Sequence, residues 1–305
     1  MPLAIELAAA RVRTLPPPAL RAQFTRGEGS LLTLLTGGPR DLPEHQQTLL
    51  KTLEWSYRLL SPELQQLFRR LAIFTGGWTM EAAGVVVAEP DRDISDGIDA
   101  LLIHNLIRVA TGTHDCLRYE MLATIHAFAH SLLASTNEYE RLRRRHAGYY
   151  AELVDYSNQA HRGRLVVGDW SDRLEAEISN IRAALDWSAG PAGDAALAVR
   201  LVGRLGYWCL MQGYHTEERA WLERTLLARR PDELPNADTA LLLYWAGNYG
   251  LIMLDIPAAR RRFDESRAMY QAIGDADGVA YLDFALGRLG RETGDYAQAE
   301  SSIRQ

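Results

Sequence analysis

The residue types that commonly do chemistry are few in this chain, and their spacing does not suit catalysis. His126 and His130 stand four apart, the spacing of one helical face. Ala127 follows His126, so the H-E-x-x-H pattern of zinc ligands plus a glutamate base is absent. Cys116 and Cys209 lie far apart and neither has a CxxC partner, which removes the usual zinc and redox motifs. Gly27, Gly29, Gly37 and Gly38 invite a phosphate-loop reading, but Lys51 is the sole lysine and no G-x-x-x-x-G-K-[ST] occurs. There is no G-x-S-x-G nucleophile elbow and no dinucleotide fingerprint. The expectation is therefore no enzyme, no catalytic or metal-ligating residue, and no ATP hydrolysis by this chain alone. Five large aromatics at helical spacing remain as candidates for a partner surface: Trp208, Trp221, Tyr244, Trp245 and Tyr270. Aromatics so placed more often fill a core.

The elements that would position these residues are mostly helices. Leu49, Leu50, Leu53, Tyr57 and Leu60 recur three or four apart and define one buried face. Ser61 is placed to cap the next helix, with Pro62 at its first position, where a missing N–H costs nothing. Leu64, Leu67, Phe68 and Leu71 form its stripe, and Gly76-Gly77 ends it. Thr79 can cap a third helix over 80–88, and 94–105 supplies a fourth. The period then changes: Leu106–Val109 and Leu117–Glu120 alternate apolar and polar residues around a loop at 111–115. Helices closed by a two-strand ribbon make a winged helix, and so short a wing must pack on the helices.

The fold class expected is mainly α, a winged-helix module with a small β-hairpin followed by an α-helical solenoid. Residues 41–135 read as the winged helix, 136–192 as linking helices and 193–305 as helical repeats. Those repeats show as Leu205-Gly206, Ala246-Gly247 and Leu286-Gly287, which recur 41 and 40 residues apart. Each is followed by a turn and a second helix, starting near Thr216, Pro257 and Ala297. This is the pattern of tetratricopeptide-like repeats with an enlarged period. Ala259 and Ala299 hold the small position of the second helix, whereas Glu218 stands there in the first repeat. Met1 opens directly into a helix, and Gln305 falls early in a second helix, so both ends read as cut. Ala285, Leu286 and Leu289 are expected to lack cover.

Charge bounds the partners. The chain carries a net charge of -6 and has a pI near 5.8, which favours neither nucleic acid nor an anionic membrane. Residues 41–135 hold seven Lys/Arg against twelve Asp/Glu, and the hairpin tip offers Asp115 and no base. Nucleic-acid binding leans on clustered Lys and Arg, so the winged helix is expected not to read DNA directly. The run Glu138–His146 is expected to be a solvated helix face with Glu138/Arg141 and Glu140/Arg144 pairs. No apolar run reaches the length of a membrane helix and the start is not a signal peptide, so a cytoplasmic home is expected.

A resemblance adds to this reading. Arg40-Asp41-Leu42-Pro43, Trp55-Ser56-Tyr57, Leu67–Phe74, Gly76-Gly77-Trp78-Thr79, Tyr119–Ala129, Arg144–Tyr150 and Asn180–Trp187 together resemble the bacterial STAND-class regulatory ATPases. These are the NB-ARC-like relatives found in LuxR-type and antibiotic-regulator-type transcription factors. The resemblance implies a nucleotide-binding domain upstream that holds ATP or ADP, a winged helix that clamps it, and repeats that receive an inducer or protein. It implies that residues 1–40 are the end of the helical subdomain that follows that domain, and that Pro2 approaches the adenine when the domain is present. The family's Met-His-Asp motif is here Met121-Leu122-Ala123, and leucine cannot donate a hydrogen bond, so no nucleotide contact carries over. The function expected is the sensor segment of a STAND-type transcriptional regulator, partnered by its own nucleotide domain or by another protein. The alternative is a free-standing repeat adaptor that needs no nucleotide.

Overall fold

The computed structural model describes residues 49–89, 93–110, 117–162, 167–228 and 235–295. They divide into two compact units between Tyr149 and Tyr150. The described residues are mostly helical, with one small sheet.

The first unit opens with α1 (Leu49–Arg58) and α2 (Pro62–Leu71). As the sequence predicts, the Ser61 hydroxyl accepts from the Leu64 amide and Pro62 begins α2. Phe68 and Leu71 on α2 are buried, with Phe68 tilted against Tyr57 and Phe128. Gly76 and Gly77 both take positive φ, 85° and 92°, which turns the chain into β1 (Trp78–Thr79). Thr79 then caps α3 (Met80–Val86) through the Ala82 amide. α4 (Ser95–Ile103) follows, then β2 (Arg108–Ala110), β3 (Arg118–Glu120) and α5 (Ala123–Ala134).

The sheet has three strands in the order β1-β3-β2, all antiparallel. The sequence shows the β2–β3 hairpin but not β1. Two residues cannot display an alternation, and Thr79 had already been spent on the cap. Trp78 pairs with Tyr119, and its ring is buried and stacked on Phe74 at 5.7 Å. The third strand thus anchors the wing to the helical core.

The second unit is built of helix pairs. α6 (Tyr139–Arg162) crosses the division; α7 (Val167–Ala176) and α8 (Ile178–Ser188) lead into α9 (Ala195–Gln212) and α10 (His215–Ala228). Next come α11 (Ala237–Ile252), α12 (Ile256–Ile273) and α13 (Ala276–Thr293). Asp194, Asn236, Asp255 and Asp275 each cap the helix that follows. The small residues of the repeat permit close packing: a side chain on Gly206 would overlap the Trp245 ring, and one on Gly247 the Phe263 ring. Ala285, Leu286 and Leu289, expected to lack cover, are buried in one cluster with Ala259, Phe263 and Tyr270. Packing of α13 on α12 covers them, so that expectation fails.

Candidate functional site

In a helix-turn-helix, the second helix of the pair is the one that enters the major groove. Here the pair is α3–α4 and the wing is β2–β3, so α4 occupies that position. Its sequence is SDGIDALLI, with no Lys or Arg. Ile98 and Leu101 face the core. Asp96, Asp99, Ile103 and His104 face solvent, Ile103 with 78% of its surface exposed. Asp93, just ahead, is also exposed and accepts from the Ser95 amide and hydroxyl at 2.9 and 2.7 Å. Those hydrogen bonds hold the Asp93 carboxyl below its ordinary value. The wing adds no free cation among the described residues: Arg108 pairs with Glu120, and Arg118 is buried. The sequence shows the acid excess of this module. Only the fold shows that it falls on α4.

The buried charges of the unit are structural. The Arg70 guanidinium donates to Glu138 Oε2 at 2.9 and 2.7 Å and to the Val87 carbonyl at 3.1 Å, and lies 2.6 Å from Glu89 Oε1. Burial alone would lower the Arg70 pKa, but the bonds to Glu138 and Glu89 outweigh it and raise it. Of the pairs expected along the α6 face, Arg141–Glu138 is present at 3.6 Å, while Glu138 points mainly to Arg70. Glu140 pairs with Arg143 at 3.3 Å.

The histidines have ordinary roles. His126 Nε2 bonds the Phe74 carbonyl at 2.8 Å, and His130 Nε2 bonds the Tyr139 hydroxyl at 3.2 Å. Among the described residues no group of three His, Cys, Asp or Glu could hold a metal ion. A cavity of about 230 Å³ lies between the wing and α5, lined by Gly76, Gly77, Trp78, Glu120, Met121 and His126 among others. Pro2 lies outside the described residues.

In the second unit the five aromatic candidates separate. Trp208, Trp221, Trp245 and Tyr270 are buried, and Tyr244 is half-buried. The four are therefore core residues rather than a partner surface. Trp208 stacks on Tyr214 and donates its indole N–H to Ser171 at 3.1 Å; Trp245 covers Gly206 and Tyr270 covers Gly278. Tyr244 alone meets an exposed aromatic, Tyr281, edge to face at 5.9 Å.

Glu218, the residue out of keeping with the repeat, is fully buried. Its Oε2 accepts from the Tyr249 hydroxyl of the next repeat. Burial pushes its carboxyl up to about 8, against the downward pull of hydrogen bonds from Tyr249 and Cys209. Burial likewise raises the Cys209 thiol.

Residues 60–134 match the family model described as a winged helix-turn-helix domain. Along 98% of its length the chain is 32% identical to Mycobacterium tuberculosis and Mycobacterium bovis proteins whose printed name is "Putative HTH-type transcriptional regulator". It spans about a third of their length, 34%. An uncharacterized M. tuberculosis protein is 33% identical over 45% of this chain and 35% of its own. A crystal structure of a signal transduction ATPase with numerous domains and a tetratricopeptide repeat sensor, from Pyrococcus horikoshii, aligns at TM-score 0.36 and 13% identity. That alignment covers 99% of this chain and 52% of that one. Among the described residues, no helix is long and apolar enough to cross a membrane.

Proposed function

We propose that the chain is the regulatory segment of a transcriptional regulator, in which the winged helix docks on protein rather than on DNA and the repeats receive the signal. The similarity to HTH-type regulators along almost the whole chain supports the regulatory half of this reading. The acidic face of α4 carries the other half. A major-groove helix must come close to phosphates, and each Asp there adds repulsion where a Lys or Arg would release counterions. Asp96 and Asp99, beside the exposed Ile103, suit a basic or apolar protein surface instead. In keeping with the sequence resemblance, that surface would be a nucleotide-binding domain of the longer protein, clamped while it holds ADP. A signal arriving at the repeats would release the clamp if it bound the open state more tightly.

Duplex DNA binding tests the docking role. The expected outcome is no retention of labelled random or operator-region DNA at low ionic strength. Salt-sensitive binding by the unaltered chain, abolished by changes on α4, would sink it. The charge argument itself is checked by the double variant Asp96→Lys/Asp99→Lys, which should acquire weak, salt-sensitive DNA affinity.

A further inference from the structure

Glu218 of α10 sits where two repeats meet. It is fully buried, and its Oε2 accepts from the Tyr249 hydroxyl of α11. The Cys209 thiol of α9 is its other hydrogen-bonding neighbour. Its Oε1 is buried and has no hydrogen-bond partner among the described residues. Tyr249 is held at the same joint from a second side, its ring edge-on to His215 of α10 at 6.1 Å.

The charges of the surrounding helices are engaged elsewhere. On α9, Arg200 pairs with Asp155, and Arg204 pairs with Asp238 at 2.8 Å. Asp238 is the sole charged residue of α11. On α10 itself, Glu217 meets Arg182 at 2.6 Å, Arg219 meets Glu223 at 2.7 Å and Arg224 meets Asp186 at 2.9 Å. Glu218 is thus left with a phenol and a thiol, which can donate to a carboxylate but cannot neutralise it. An ionised carboxylate enclosed without a counter-charge is far costlier than the acid. A proton on Oε1 removes that charge and leaves the Tyr249 bond to Oε2 in place.

We propose that this joint is a proton-operated latch: α10 and α11 stay closed while Glu218 carries its proton, and part locally once the carboxyl ionises and must reach water. The enclosed Glu218 keeps its proton up to about 8, whereas the same side chain in an open joint loses it near its ordinary 4.5. Opening is therefore favoured progressively between those values, by up to about 10-fold per pH unit, and levels off above about 8. Mild acid locks the two repeats together, and a rise through neutrality frees them. Cys209, fully buried beside Glu218, meets solvent only when the joint opens.

Thiol labelling of the whole chain tests the latch. The sequence has two cysteines, so Cys116→Ser leaves Cys209 as the single target. Its rate with a dithiopyridine reagent, divided by that of a short cysteine peptide at the same pH, reports the open fraction. This ratio should rise at least about 10-fold between about pH 6 and about pH 8 and then level off. Glu218→Gln, which cannot ionise, should hold the ratio constant over that range. Urea below the unfolding transition should change the ratio little, because a local opening exposes little surface. A ratio independent of pH in the Cys116→Ser chain, an equal rise in Glu218→Gln, or a urea dependence as steep as that of global unfolding would each overturn the proposal. The first and third of these are read without the Glu218 variant, so its failure to fold would not shield the latch. None of these results touches the regulatory reading, whose test is the DNA experiment on α4.

Discussion

The two units hold carboxylates in opposite ways. In the first unit, Glu138 and Glu89 flank the buried Arg70, and hydrogen bonds from Arg70 hold the Glu89 carboxyl below its ordinary value. In the repeats, Glu218 has no cation; it meets a phenol and a thiol, and burial drives its carboxyl up. The first arrangement is an ion-pair cluster that joins α2, the end of α3 and the start of α6. The second is a buried neutral acid that joins two repeats. The difference teaches that a carboxylate in a core says nothing of stability until its partner is known. A buried charge pair is strong only while both members remain, whereas a buried acid can hold its own proton.

The largest effect should come from breaking the ion-pair cluster. Arg70→Met strands Glu138 and removes the donor to the Val87 carbonyl. The first unit should lose about 3 kcal/mol in denaturant unfolding followed at Trp78. Loss below about 1 kcal/mol would show the cluster to be dispensable.

A smaller loss is expected from Tyr249→Phe, which removes the donor to Glu218: about 2 kcal/mol, confined to the second unit. The comparison sharpens further with pH. Glu218 has a folded value of about 8, above its ordinary value of 4.5, so the folded state holds the extra proton. Its contribution is complete below about 4.5 and declines as pH rises through about 8. Glu89 behaves in reverse, since its folded value is depressed and its contribution is lost on acidification. Melting temperature against pH should therefore fall between about 4.5 and about 8 for the second unit. Glu218→Gln should flatten that limb and leave the acid limb of the first unit unaltered.

The smallest effect concerns a turn. Gly213, Leu254 and Gly294 follow α9, α11 and α13 at 41- and 40-residue spacing, with φ of 79°, 60° and 80°. Leucine in the left-handed region costs about 1–2 kcal/mol, and Leu254 is 82% exposed, so burial returns little. Leu254→Gly should stabilise the second unit by about 0.5–1 kcal/mol after the greater freedom of glycine in the unfolded chain is counted. Gly213→Leu should destabilise it by about 1–2 kcal/mol.

Much of the fold was legible because it is written in local rules. The Ser61 and Thr79 caps, the Pro62 start and the Leu-Gly period all hold where the sequence places them. What was hidden depends on contacts distant in sequence. β1 exists because Trp78 meets Tyr119, and neither residue announces the other. Trp208, Trp221, Trp245 and Tyr270 resemble a binding face in sequence, and neighbouring helices turn them into core. Glu218 looked like a failure of the repeat, yet it fills the place of Ala259 with different chemistry.

That last substitution has a consequence for the order of the array. Cys209 and Glu218 occupy the positions held in the next pair by Gly250 and Ala259, where a side chain on Gly250 would press within 3.1 Å of the Ala259 backbone. Tyr249, which completes the Glu218 site from the following helix, is matched one repeat later by Leu289. A second helix bearing Glu218, moved one place along, would bring its acid against a glycine backbone and a leucine. These two modules are thus not interchangeable beads: the one bearing Glu218 is keyed to the successor that carries Tyr249.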